Sequence, residues 1–126
     1  IVDATTPELM LRDALSVLAG ASDAIVVGCG LGSTQAAVNA LRQAIEASVP
    51  LVLDADALNL LGADPELRAC VQGRNQATIA TPHPAAAARL LGGDIALVQH
   101  DRLAAAGSIA RERSRAHCCQ NIGEIR

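Results

Sequence analysis

The sequence contains no phenylalanine, tryptophan, tyrosine or lysine. Without aromatics, an apolar fraction of 51% has to be met by Ala, Val, Leu and Ile. Small branched side chains of this kind suit a sheet covered tightly by helices. All ten basic residues are arginine, which removes a phosphate-loop lysine and a Schiff-base lysine together. A formal charge of −3 with no stacking aromatics argues against a nucleic-acid groove. The four cysteines (Cys29, Cys70, Cys118, Cys119) form no CxxC pair and have no histidine at metal spacing, so they signal neither a zinc site nor a disulfide framework. Reduced thiols are expected. No apolar run approaches the roughly 20 residues that span a bilayer, and Ile1 opens no signal peptide, so a cytoplasmic protein is expected.

What the sequence does have is alternating helix and strand signals. At 126 residues it is one domain or part of one, able to bury roughly two thirds of its unfolded surface. Thr6-Pro7-Glu8 is a helix start, and Leu9, Leu11, Ala14, Leu15 and Leu18 repeat at helical spacing up to Gly20, predicting a helix over 7–19. Ala24-Ile25-Val26-Val27 reads as a strand running into Gly28-Cys29-Gly30-Leu31-Gly32, after which Ser33 is positioned to cap a helix carrying Ala37, Val38, Leu41, Ala44 and Ile45.

Pro50-Leu51-Val52-Leu53-Asp54 reads as a second buried strand, since its apolar run is continuous, and it ends at a carboxylate. A short helix over 56–61 follows, and Asp64-Pro65-Glu66 starts another. A third strand, 77–80, leads into Thr81-Pro82-His83-Pro84 and a helix ending near Leu91-Gly92-Gly93, then a helix from Ile95 to about Arg113. This order predicts an α/β fold with a parallel sheet and right-handed crossovers, its functional loops gathered at the carboxyl ends of the strands. Residues 1–113 read as one partial domain. Residues 114–126 are Arg-rich, lack periodicity and read as an atypical tail, disordered or out of frame.

Three segments carry the chemistry. The loop over 28–32 follows a strand and opens a helix, so its amides and the helix dipole form a natural phosphate cradle. It misses the GxGxxG fingerprint because Ser33 stands at the third glycine, although Asp54 follows at the spacing of a ribose-binding acid; a purely structural tight turn is the competing reading. In Asp54-Ala55-Asp56-Ala57-Leu58-Asn59, Asp56 is expected to cap the following helix and Asp54 to face the ligand crevice. His83 is held between two prolines at a strand end, where it reads either as structural or as part of a site.

Taken together, AIVVGCGLG, PLVLDADALNLL and ATIATPHPAAAARLLG resemble successive signatures of the NAD(P)H-hydrate dehydratases over about residues 5–110. The resemblance implies a ribokinase-like three-layer αβα fold and a lyase that repairs hydrated NADH or NADPH with ADP or ATP, Mg accompanying the nucleotide. It places Gly30, Gly32 and His83 against the hydrated dinucleotide and Asp54 and Asn59 in the same crevice. It implies a small-molecule partner, neither nucleic acid nor membrane, and is compatible with a homo-oligomer.

The chain departs from the family pattern at Cys29, which stands where GPGLG has proline, and at Ala85 and Ala86, where TPHPGE has glycine and an acid. The KGAGT-like segment and the GTGD segment with its catalytic aspartate have no counterpart, so the resemblance implies a piece truncated at both ends, inactive alone and with no catalytic residue of its own. The rival readings are a sugar or vitamin-like alcohol kinase of the same superfamily and a non-catalytic nucleotide-binding remnant.

Overall fold

Parallel strands joined by helices are what the sequence patterning demands, and the structure has them. The computed structural model describes residues 16, 18, 20–112 and 116–118, with residues 112 and 116–118 described as backbone alone. The helix expected over 7–19 lies mostly outside the described residues; Ser16 and Leu18 within it are helical, and Leu18 packs against the core.

Strands β1 (Ile25–Val27), β2 (Leu51–Leu53), β3 (Thr78–Ala80) and β4 (Ala116–Cys118) form one sheet in the order β1-β2-β3-β4. All neighbours are parallel, with Val27 opposite Leu53 and Leu53 opposite Ala80. The helices are α1 (Gln35–Glu46), α2 (Ala55–Ala63), α3 (Pro65–Gln72), α4 (Pro84–Leu91), α5 (Ile95–His100) and α6 (Arg102–Glu112).

Helix α1 buries Ala37, Ala40, Leu41, Ala44 and Ile45, a stripe at the three-and-four spacing of a single helical face. Its cap is Thr34, whose Oγ1 accepts from the Ala37 amide at 3.2 Å, one residue later than the Ser33 expected from sequence. Helix α3 begins as expected, the Asp64 carboxylate accepting from the amides of Glu66 and Leu67 at 2.8 and 3.2 Å.

Two expectations are corrected. The single helix from Ile95 is two, because the Asp101 carboxylate accepts from the Ala104 amide at 2.9 Å and starts α6 afresh. A fourth strand forms past residue 113, where no strand was expected: Ala116 to Cys118 pair with Thr78 to Ala80. A three-residue strand is held by its backbone ladder, which leaves too short a side-chain pattern to read. The rest of the segment 114–126 lies outside the described residues.

Consecutive strand order with right-handed crossovers puts the described helices on one face of the sheet. Under them Leu41, Leu51, Leu53, Leu58, Leu61, Leu67 and Ile109 are almost wholly buried, a core of aliphatics as the composition requires. The other face carries Val26, which is 71% exposed, and the half-buried Val52 and Ile79. The described helices supply one of the two outer layers of a three-layer sandwich.

One buried polar side chain braces the amino-terminal edge of this sheet. Arg74 donates through Nε to Thr78 Oγ1 at 3.0 Å, through Nη2 to the Val49 carbonyl at 2.6 Å, and through Nη1 to the carbonyls of Ala44 and Ala47 at 3.3 and 3.1 Å and to that of Ile45. It therefore neutralises the carbonyl end of α1 and ties it to the approaches of β2 and β3. Burial lowers its pKa from the ordinary arginine value, yet it remains charged at any working pH.

Replacing Arg74 by Met is expected to cost about 3 kcal/mol or more, since it strands several buried carbonyls at once. Arg74→Lys should recover only part of this, because an ammonium cannot span the same fork. Denaturant unfolding of the three proteins measures both differences.

Candidate functional site

The carboxyl-terminal edge of the sheet is built from the loops that follow β1, β2 and β3. Because the three strands end in register, Gly28, Asp54 and Thr81 leave the same edge side by side. Backbone bonds knit them: the Asp54 amide donates to the Val27 carbonyl at 3.1 Å and the Thr81 amide to the Leu53 carbonyl at 3.0 Å. His83, two residues beyond Thr81, thus rises from the same edge as the glycine loop.

Within that loop the glycines differ in purpose. Gly28 has φ +136°, and a Cβ there would lie 1.8 Å from the Asp54 carbonyl oxygen and 3.1 Å from the Ala57 Cβ, so the β1 and β2 ends approach too closely for any side chain. Gly30 and Gly32, at φ +69° and +76°, face open space with nothing within 4 Å of a Cβ. The first is needed by the fold, and the other two leave room for a ligand.

The capping role expected of Asp56 falls to Asp54. Asp54, expected to face the crevice, caps α2: its Oδ1 accepts from the Ala55 amide at 2.7 Å and its carbonyl from the Ala57 amide at 3.0 Å. Asp56, expected to be the cap, reaches across to the glycine loop, where its Oδ2 accepts from the Gly32 amide at 2.8 Å. Between them Ala55 takes φ +45°, the left-handed region that a residue with a Cβ enters at a cost of about 1–2 kcal/mol. That strain aims the two carboxylates in different directions. The sequence gives no sign of it, because the alanine at 55 looks like an ordinary helix former.

The loop also spends its Leu31 amide internally, on the Gly28 carbonyl at 3.1 Å. The phosphate cradle expected from sequence is therefore partly filled by the protein itself. His83 caps α4, its Nδ1 accepting from the Ala86 amide at 3.2 Å while the ring stays exposed. With Nδ1 accepting, the neutral imidazole carries its proton on Nε2 and presents a donor outward. Asn59 lies one turn into α2, and its Oδ1 accepts from Arg89 Nη1 at 2.5 Å. That bond carries Asn59 toward α4, and sequence reasoning had no signal for Arg89.

Among the described residues no group of three or more His, Cys, Asp or Glu is arranged for a metal ion. Ala85 and Ala86 offer no ligand beside His83. No helix among them is long and apolar enough to cross a membrane.

A model of the NAD(P)H-hydrate dehydratase family matches residues 1–120. The chain belongs to that family. Its α/β fold is accordingly ribokinase-like, and the match runs past residue 113. The chain is 50% identical over 107 residues to the ADP-dependent (S)-NAD(P)H-hydrate dehydratase of Neisseria meningitidis, covering 82% of this chain and 36% of that protein. It is 35% identical to the bifunctional NAD(P)H-hydrate repair enzyme Nnr of Coxiella burnetii (99% of this chain, 25% of the relative) and 40% identical to that of Escherichia coli (77% and 18%). The chain thus spans about a third or less of the length of these relatives.

Two substitutions separate fold from site. Gly28→Ala is expected to lose more than about 3 kcal/mol, whereas Gly30→Ala, with open space around it, should lose only about 1–2 kcal/mol. Unfolding midpoints in urea decide between them. Ala55→Gly is expected to gain about 0.5–1 kcal/mol, relief of the left-handed strain exceeding the added unfolded-state entropy, and the same urea series would show a raised midpoint.

Proposed function

We propose that this chain provides dinucleotide-facing residues of an ADP- or ATP-dependent (S)-NAD(P)H-hydrate dehydratase, acting in the cytoplasm on hydrated NADH or NADPH. The observation that carries the reading is the convergence of GCGLG, DADALN and TPHP on one sheet edge in a chain belonging to this family. The relatives' printed activities supply the substrate class.

In this reading Gly30 and Gly32 leave room for the ligand to lie on the loop backbone. His83 offers its Nε2 proton to an acceptor on the ligand, held in place by the bond between Nδ1 and the Ala86 amide. Asp54 is a positioning residue, fixing the start of α2. Asn59 contributes by anchoring Arg89 rather than by touching the ligand.

Each carboxylate beside the glycine loop has one oxygen oriented by a backbone amide, and binding and orientation are the roles assigned to these residues. ADP or ATP would supply the phosphoryl group that makes the hydrate's hydroxyl a leaving group. Its place is not assigned to any described residue.

Calorimetric titration of the purified protein with NADPH hydrate tests the reading. Saturable binding is expected, weakened about tenfold in His83→Ala by loss of one hydrogen-bond donor. Binding that is absent, or identical in the two proteins, would overturn the assignment. Titration with a sugar alcohol in its place is expected to show no heat.

A further inference from the structure

The Gly32 amide belongs to the loop that the sequence marks as a phosphate cradle, and a carboxylate of the protein already holds it. Asp56 Oδ2 lies 2.8 Å from that nitrogen, across 24 residues of sequence. Among the described residues no Arg or His is paired with Asp56; the nearby Arg89 is turned onto Asn59. The carboxylate's partners are instead this amide and the amino end of α2, in whose first turn it lies.

The contact is not an accident of a slack loop. Ala55 adopts a left-handed conformation that separates Asp56 from Asp54, and Gly28 fixes the loop against the Asp54 carbonyl, so both ends of the bond are set by the backbone. The space over Gly30 and Gly32 is nevertheless open. The loop is thus accessible and carries a fixed negative charge on one of its donors.

Resting on the proposed dinucleotide reading, we propose that Asp56 is a specificity-determining residue, which bars phosphate groups from the glycine loop and reserves it for an uncharged part of the ligand, a ribose hydroxyl or a carboxamide. An anion seeking the Gly32 amide would have to displace the carboxylate or lie within about 4 Å of it. At that range, with partial solvent screening, like-charge repulsion weakens binding by about tenfold or more. A neutral hydroxyl or amide meets no such penalty and finds the carboxylate a ready acceptor. The pyrophosphate is then directed away from Gly32, which fixes the sense in which the dinucleotide lies along the sheet edge.

The test follows the Gly32 amide resonance of the isotope-labelled protein during titration with inorganic pyrophosphate, in wild type, Asp56→Asn and Asp56→Ala. Asparagine keeps an acceptor and removes the charge, and alanine removes both. In wild type the Gly32 resonance is expected to stay unmoved by pyrophosphate. In both variants it is expected to move, with an apparent affinity at least tenfold higher than any seen in wild type. A role confined to stabilising the fold would lower affinity or leave it unchanged, so a rise is specific to the proposal. Pyrophosphate moving the wild-type Gly32 resonance as readily as that of the variants would overturn it. Should the variants not fold, the wild-type titration decides alone, since a saturable shift at Gly32 contradicts the exclusion. These outcomes do not depend on NADPH hydrate, so failure of the dinucleotide to bind and failure of the anion exclusion are seen separately.

Discussion

The approach of Gly28 to the carbonyl of Asp54 is the constraint on which the carboxyl-terminal edge depends. Two parallel strands that end in register bring their outgoing loops within one strand spacing, about 4.8 Å, and here the chains close further than a methyl group permits. Once the loop after β1 is pressed against the turn after β2, the Asp54 carbonyl is fixed, the Asp54 side chain is drawn onto the Ala55 amide, and Ala55 is forced to positive φ. The next residue then points back across the gap, which is how Asp56 comes to hold Gly32. A steric fact about one glycine is thereby converted into the electrostatics of a loop.

The opposite edge is held by different physics. There the carbonyl end of α1 comes within reach of the residues that lead into β2 and β3. A guanidinium with five donors satisfies those carbonyls where no backbone amide is available. Burying a cation is costly, and Arg74 is tolerated because its acceptors lie at the negative end of a helix. One edge is therefore braced by a buried positive charge, while the other spends two negative charges on orienting its own amides.

Much of this was legible in the sequence because it rests on local signals. Continuous aliphatic runs at 25–27 and 51–53, the stripe from Ala37 to Ile45, and Asp64-Pro65-Glu66 each fix an element without help from the rest of the chain. The absence of aromatics correctly foretold a core of Ala, Val, Leu and Ile. What escaped was whatever depends on contacts across long sequence distances. Nothing in DADALN states which aspartate turns inward, since capping residues look alike until the neighbouring loop is in place. Arg74 follows a helix and precedes polar residues, so it reads as surface. Asp101 is an unremarkable acid within an apparently continuous helix until its carboxylate is seen to compete for the next turn's amide. The strand β4 borrows its stability from the β3 ladder and carries no pattern of its own.

The charge distribution at the carboxyl-terminal edge bears on what kind of chemistry belongs there. A group that is to remove a proton needs a carboxylate or imidazole nitrogen with a free lone pair aimed at the ligand. Here Asp54 Oδ1, Asp56 Oδ2 and His83 Nδ1 all accept from backbone amides of the chain itself. Each carboxylate keeps a second oxygen beside these bonds, and the Nε2 proton of His83 and the backbone over Gly30 and Gly32 are also turned outward. Such an edge is equipped to recognise hydroxyl, carbonyl and carboxamide groups by shape and by the placement of donors and acceptors. On the proposed reading, the described loops hold and orient the ligand, and proton transfer is not assigned to them.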